Sequence, residues 1–391
     1  MKNVHKYDFI RRELDRRDRI HHRRRLKTVT PLERAEVLVD GRRLINFCSN
    51  DYLGLSKHPL LKSRALEFIE KYGAGSTASR LICGSLDCFD RIENKLAALK
   101  GTGAALILNS GFQANVSIIP ALADRRGLIL SDALNHNSLI QGALLARCRI
   151  FRYRHNDLRH LRDLLVENRD RGFTRKLILT ESVFSMDGDR SDIRGLADLA
   201  EEFGAFLVVD EAHATGVLGR KGMGLSCGEK VDVAIGTFSK GCGSFGAYAA
   251  CSEEIRAYLI NFCNGFIYST ALPPAVIGAI DAALELIPDM DDARRHLEAS
   301  TEYLRMSLKN TGWETGPSSS QIVPIIIGSE RETIELSGWL EKGGIFATPI
   351  RPPTVSPGES RIRLSLSVFH GKREVDRVIE LLQVWRERRA A

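Results

Sequence analysis

No apolar run in this 391-residue chain reaches the roughly 18 residues needed to span a bilayer, so no membrane partner is expected. The phosphate-binding pattern G-x-x-x-x-G-K-[ST] is missing, which removes the loop an ATPase of that kind needs. C-x-x-C is missing too. The eight cysteines are scattered at 48, 83, 88, 148, 227, 242, 251 and 263, and the nearest pair, Cys83 and Cys88, has no second pair to complete a zinc site. Free thiols in a reducing cytoplasm, and no metal, are therefore expected. The first residues are polar and basic, so no secretory signal is expected. A mitochondrial presequence would be poor in acids, yet Asp8, Glu13, Asp15 and Asp18 fall there. There is no internal repeat and no low-complexity tract. What remains, 43% hydrophobic and 27% charged, is the composition of a globular protein long enough for two domains.

Charge is uneven. Residues 1–27 hold eleven Lys or Arg against four acids, which equals the whole formal excess of +7, and the rest of the chain balances. A basic arm on a neutral body suits an acidic partner or an anionic substrate. The bland alternative is a solvated amphipathic helix with Ile10, Leu14 and Ile20 turned inward. No aromatic or motif pattern supports nucleic acid, so no nucleic-acid partner is expected.

After a strand-like piece at 37–46, short apolar runs alternate with helical patterns. The runs fall at 104–108, 128–130, 149–153, 177–180, 206–210, 233–237, 247–251 and 266–269. Helical segments at 115–122, 158–166 and 196–203 lie between them. Such alternation indicates an α/β fold with a mostly parallel central sheet covered on both faces. A long helical stretch at 274–308 leads to a smaller α/β pattern, with strands at 322–327 and 361–366 and an apolar stripe on a last helix. Four prolines make 349–357 a stiff loop. The expected organisation is a basic arm at 1–45, a large domain at 46–285 and a small C-terminal domain at 286–391.

The chemistry concentrates at Gly236-Thr-Phe-Ser-Lys240-Gly-Cys-Gly-Ser-Phe-Gly246. A lysine stands in a loop of small residues directly after an apolar run, 27 positions beyond His213 of Asp210-Glu-Ala-His213. A lysine can hold an aldehyde cofactor as a Schiff base. A carboxylate on a buried strand end keeps a pyridine nitrogen protonated. Together they point to pyridoxal 5′-phosphate. Two other matches compete. Asp-Glu-Ala-His is also the metal-site motif of a DEAH-type NTPase, which lacks its phosphate loop here. Gly241 to Gly246 fits G-x-G-x-x-G, but a dinucleotide fingerprint should open a helix and a strand-like run follows. The glycines are instead expected to let backbone pass close to the cofactor.

The chain resembles the α-oxoamine synthase family of pyridoxal phosphate enzymes nearly end to end. The resemblance is carried by Asn46-Phe-Cys-Ser-Asn50-Asp-Tyr-Leu-Gly, Gly243-Ser-Phe-Gly-Ala-Tyr, Tyr268-Ser-Thr-Ala-Leu-Pro-Pro274 and Ile350-Arg-Pro-Pro-Thr354-Val. It implies a fold-type I transferase and gives residues roles. Lys240 would carry the cofactor and remove the Cα proton, Asp210 would pair with the ring nitrogen, His213 would reach the phenolic oxygen and His136 would stack on the ring. Ser110, Gly111 and Phe112 at a helix start would meet the phosphate. Ser185 and Thr237 would complete the shell, and Thr270 would reach the phosphate of a neighbouring subunit, so a homodimer is expected. Arg363 would clamp the amino-acid carboxylate, with Asn50 a second candidate. Thr354 and an arginine of Arg23-Arg24-Arg25, taken as Arg23, would meet the acyl substrate. The implied reaction joins L-alanine to a pimeloyl thioester of coenzyme A or acyl carrier protein, with loss of carbon dioxide, on the way to biotin. A sibling reaction would use glycine or serine with another acyl thioester.

Overall fold

The computed structural model describes residues 6–390, which form two compact units. The first takes the described residues up to Ser49, Met186–Gly188, and Leu297 onward. The second takes Asn50–Ser185 and Asp189–His296. No helix among the described residues is long and apolar enough to cross a membrane.

The first unit opens with the basic helix α1 (Asp8–Arg19), which buries no residue. Ile10, Leu14 and Ile20 are each about two-fifths exposed, so the inward-facing expectation fails. Exposed i,i+3 and i,i+4 pairs, such as Arg16 and Arg17 with Glu13, support the helix in place of a buried face. Lys2 lies outside the described residues. Strands β1 (Val29–Pro31), β2 (Glu36–Val39) and β3 (Arg42–Asn46) follow. The piece read as one strand is a hairpin, because Asp40 (φ 48°) and Gly41 (φ 77°) both take the left-handed conformation a two-residue turn requires.

The second unit holds helices α2 (Pro59–Tyr72) and α3 (Cys88–Lys100), and then a run of strands and helices. These are β4 (Ala104–Leu108), α4 (Gly111–Leu122), β5 (Leu128–Asp132), α5 (Asn137–Leu145), β6 (Arg149–Tyr153), α6 (Leu158–Glu167), β7 (Lys176–Glu181), α7 (Ile193–Phe203), β8 (Phe206–Asp210), β9 (Val233–Thr237) and β10 (Ala247–Cys251). The strands make one sheet in the order β4-β10-β9-β8-β7-β5-β6, parallel except that β10 runs antiparallel to both its neighbours. Strand period two explains the continuous apolar runs. Ile129, Leu177, Leu179 and Val208 pack on one face with α4 and α5. Leu128, Leu130, Ile178, Leu207 and Val209 pack on the other with α6 and α7. Each such side chain contributes about 1.5–3 kcal/mol by leaving water. At the carboxyl edge apolar residues give way to Asp132, Glu181, Asp210 and Thr237, each the last residue of its strand.

Two expectations change beyond β10. After α8 (Glu253–Phe262), the run at 266–269 is not a strand. Asn264–Ile267 is the short helix α9, and Phe266 packs into the core from it. The helical stretch at 274–308 is two helices, α10 (Pro274–Leu286) and α11 (Asp291–Asn310). Pro288, in the turn between them, cannot continue the hydrogen-bond ladder. The chain ends in the first unit with β11 (Ile322–Gly328), α12 (Glu330–Lys342), β12 (Ile345–Phe346), β13 (Pro349–Ile350), β14 (Ser360–Ser365) and α13 (Lys372–Ala390). Strand β12 pairs in parallel with β3, and β14 sits between β11 and β13.

Helices α2, α3 and α10 of the second unit meet around Asp281, which is fully buried. Arg64 lies 2.5 Å from its carboxylate, Lys95 3.1 Å and Arg91 3.3 Å. Burial raises its pKa, but the charges of Lys95 and Arg91 and the hydrogen bond from Arg64 outweigh burial and leave it below the usual carboxylate range. Stability from this cluster is present above the unfolded carboxyl pKa and is lost as pH falls through the folded value. Asp281→Asn should cost about 3 kcal/mol at neutral pH, the range for breaking a buried pair. Urea unfolding at pH 7 and at acid pH checks this, and the difference from the parent should shrink in acid.

Candidate active site

Lys240 follows β9 in a tight loop. Gly243 has φ 63°, and a Cβ there would stand 2.4 Å from the Ser56 backbone nitrogen. Gly241 would meet the Thr215 carbonyl oxygen at 2.6 Å. These glycines thus allow close approach to protein backbone, where a Cβ would clash. Strand β10 follows them, as the sequence reading expects, so they open no helix.

The Lys240 Nζ lies 2.7 Å from His213 Nε2, and His213 Nδ1 lies 2.6 Å from the Tyr52 hydroxyl. Tyr52 in turn donates to Asn50 Oδ1 at 3.0 Å. Every donor in this chain is consistent when His213 carries its proton on Nδ1. Nε2 then accepts from Lys240, and Nδ1–H donates to Tyr52.

A second chain starts at Asp210, buried at the end of β8. The Asn115 amide, on α4, donates to Asp210 Oδ2 at 2.6 Å and to Ser138 Oγ at 2.8 Å. The Ala212 backbone N–H donates to Asp210 Oδ1 at 2.8 Å. Ser138 accepts from Asn115, so its own proton goes to His136 Nδ1, 2.8 Å away. The Ser138 backbone N–H reaches the same nitrogen at 3.2 Å, which makes His136 the N-cap of α5. His136 is therefore a neutral imidazole protonated on Nε2. Its pKa is lowered by burial and by the Lys240 charge, against the opposing pull of Asp210. The His136 backbone N–H donates to Glu181 Oε1 at 2.5 Å. Glu181 stands opposite Asp210 in the parallel register. Burial and the Asp210 charge push the Glu181 carboxyl well above its usual range.

The remaining residues of this unit surround the two chains. Ser110 caps α4 by accepting from the Gln113 N–H at 3.2 Å, and Gly111 and Phe112 form the first turn, whose N–H groups point outward. A Cβ on Gly111 would lie 3.7 Å from Thr237 Cβ, so these two are neighbours. Thr237 Oγ1 donates to the Gly246 carbonyl at 2.8 Å. Ser185 is half-buried beyond β7. Thr270 is exposed, and its carbonyl accepts from Asn109 at 2.8 Å.

The other expected residues lie in the first unit. Arg363, on β14, is buried and donates to Ser365 Oγ at 2.6 Å. Arg23 is taken by Asp18 at 2.5 Å, whereas Arg24 donates to Thr354 Oγ1 at 2.9 Å. Arg351 donates to the His21 carbonyl. Burial and the nearby Arg24 charge lower its pKa. Tyr52, Asn115, Ser138, Glu181 and Arg351 carry no role in the sequence reading. Tyr52 and Arg351 sit inside stretches that carry the resemblance, which is the signal that could have found them. For Glu181 the only signal is a carboxylate ending an apolar strand.

The chain belongs to the aminotransferase class I and II family, whose model matches residues 42–382. Within it, a Desulfosudis oleivorans protein named as a candidate 8-amino-7-oxononanoate synthase is 57% identical over 97% of this chain and 99% of that protein. The 8-amino-7-oxononanoate synthase of Gluconacetobacter diazotrophicus is 48% identical over 96% of each. Among solved structures, Sphingomonas wittichii serine palmitoyltransferase superposes with a TM-score of 0.90 at 25% identity over 98% of each chain.

Asn115→Ala should leave Asp210 Oδ2 and Ser138 without their buried donor and cost about 1–3 kcal/mol. Urea denaturation measures this, and an unchanged midpoint would show that another donor replaces the amide.

Proposed function

We propose that the chain binds pyridoxal 5′-phosphate and condenses L-alanine with a pimeloyl thioester, giving 8-amino-7-oxononanoate, carbon dioxide and the free carrier thiol, a step towards biotin. One observation carries this reading. Lys240, just past the end of β9, is hydrogen-bonded to His213, while Asp210 ends the adjacent strand, buried and in no ion pair among the described residues. A buried carboxylate whose partners are neutral amides suits a protonated ring nitrogen. The helix start at Ser110 to Phe112 suits a phosphate.

When bound, the cofactor supplies the electron sink for the pair left at Cα. Lys240 holds it and, once released, takes the Cα proton of alanine as general base, which is worth roughly 10²–10⁴-fold. His213 receives a hydrogen bond from Lys240 and fixes the amine. His136, neutral and capped onto α5, offers a flat face that keeps the ring plane fixed. Ser185 and Thr237 are assigned to the same shell. Arg363 is assigned to the alanine carboxylate, where a guanidinium fork fits two oxygens, with Asn50 as its alternative. Thr270 is assigned to the phosphate of a second copy. The exposed Leu81, Ile82, Phe112, Phe262 and Tyr268 of the same unit support a homodimer.

Arg24 and Arg351 lie beside one another next to Thr354. Two neighbouring cations call for an anion, and a pimeloyl chain ends in a carboxylate. Arg24 is therefore assigned to that end in preference to Arg23. The arm's other charges are placed to attract an anionic carrier, whether coenzyme A or acyl carrier protein. A second reading follows from the likeness to serine palmitoyltransferase. It is condensation of glycine or serine with another acyl thioester, and the relatives at 48% and 57% identity favour alanine.

Product mass with alanine, glycine or serine and each acyl donor tests the reading, and product from serine alone would replace it. Lys240→Ala should abolish turnover and the borohydride-dependent fixing of cofactor to protein. Asp210→Asn should lower kcat by about 10²-fold or more, since an interaction made to developing charge is lost. Near-normal kinetics in Asp210→Asn would show that the carboxylate does not face the ring nitrogen. Arg24→Ala and Arg351→Ala should each lower the preference for pimeloyl over heptanoyl thioester by about tenfold, the loss of one charge-assisted hydrogen bond. Neutralising Arg11, Arg12, Arg16 and Arg17 together should slow capture of a carrier-protein donor at low salt only. The check is kcat/KM for both donors across a salt series.

A further inference from the structure

His155 belongs to none of the roles above, yet it stands between two buried carboxylates. It follows β6 in Arg154-His155-Asn156, where Asn156 has φ 51°. Its Nδ1 lies 2.9 Å from Asp132 Oδ1 and its Nε2 lies 2.8 Å from Asp189 Oδ2. Both carboxylates are almost fully buried. A carboxylate oxygen accepts and does not donate, so each ring nitrogen must carry its own proton. With both carboxyls ionised, the ring is an imidazolium. Phe184 covers it edge-on at 4.4 Å between centroids. Asn156 completes the clamp, its backbone N–H donating to Asp132 Oδ2 at 2.9 Å and its amide to Asp189 Oδ2 at 2.7 Å.

The two carboxylates anchor two different loops. Asp132 Oδ1 also accepts from the Leu134 N–H at 2.8 Å, which shapes the short turn leading to His136. Asp189 closes the segment that folds back from β7, where the Phe184 N–H donates to its carbonyl at 3.0 Å and Val183 bridges Arg190. Ser185 is carried by that segment. We propose that His155 is a positioning residue, a charged strut that sets the His136 turn and the Ser185 segment at a fixed spacing and so shapes the cofactor site without touching it.

Burial disfavours the charged ring, but the hydrogen bonds it donates to Asp132 and Asp189 outweigh this and raise its pKa to about 10. Asp132 and Asp189 are the charged groups that face it, from β5 and from the β7 segment. Because the folded value lies above the ~6.5 of a free histidine, the strut's contribution is complete below that pH and is lost as pH rises through about 10.

The inference rests on the cofactor reading above, and the experiment separates the two. Apo protein is titrated with pyridoxal 5′-phosphate, and the holoenzyme's visible circular dichroism is recorded, for the parent, His155→Gln and Asp189→Asn. If the parent does not bind, the cofactor reading fails. If it binds, both variants should bind about tenfold more weakly, the loss of one charge-assisted hydrogen bond, with an altered dichroic band. Their kcat should fall more than KM for alanine rises. Parent-like affinity and dichroism in His155→Gln would overturn the strut, whatever its melting temperature. Should that variant not fold, Asp189→Asn keeps the shape and decides by the same readings. In the parent, histidine-selective isotope labelling should show a resonance at the imidazolium position that does not titrate across neutral pH and disappears in His155→Gln or shifts in Asp189→Asn. A His155 resonance that titrates near neutrality would equally sink the proposal.

Discussion

The second unit is organised around two carboxylates, Glu181 and Asp210, that end adjacent parallel strands in register. Side chains at matched positions of parallel strands point to the same face, so both cannot be buried and ionised without cost. The structure resolves this by giving them unlike surroundings. Burial and the Asp210 charge push Glu181 towards its neutral form, against the backbone N–H it accepts from His136. Asp210 accepts from two neutral donors, the Asn115 amide and the Ala212 N–H. Unlike environments for paired carboxyls are how one site assigns unlike roles to the same chemical group.

Two short hydrogen-bond chains link the candidate residues, and one of them starts from Asp210. Asp210 connects through Asn115 and Ser138 to the ring of His136, and Lys240 connects through His213 and Tyr52 to Asn50. Each chain fixes a tautomer, and a fixed tautomer fixes which nitrogen can accept. Asn115, Ser138 and Asp210 sit on α4, the start of α5 and the end of β8, which hold geometry better than free loops do, while Lys240, His213, Tyr52 and Asn50 lie on turns or loops. The Asp132–His155–Asp189 clamp applies the same economy at the outer strands, where one imidazolium satisfies two buried carboxylates.

The first unit places its cations differently. Arg363 is buried in a strand and donates to Ser365. Arg24 and Arg351 instead lie on irregular backbone beside Thr354, with their charges close together. The rest of the arm is exposed and tied mainly by local ion pairs, which are individually weak in water. Such a segment can act at long range through its field, where rigid placement is not needed.

Local pattern alone determined a good deal. Apolar runs of four to six residues separated by helices specify a parallel sheet, because only a strand buried on both faces lacks polar alternation. Small residues around Lys240 and the carboxylate at 210 point to the proposed chemistry, because few side chains can do those tasks. Pattern failed where a short apolar run could serve either period, as at 266–269, and where one proline outweighed a long helical stripe, as at Pro288. It also failed for α1, whose apolar stripe does not say what covers it. Only the tertiary structure decided which arginine of the arm meets Thr354, that strand β3 pairs with β12 some 300 residues later, and that Tyr52, Asn115 and Glu181 hydrogen-bond to His213, Asp210 and His136. Those facts depend on contacts between residues far apart in sequence. The identity of a tyrosine or asparagine carries no mark of the partner that chain folding will bring to it.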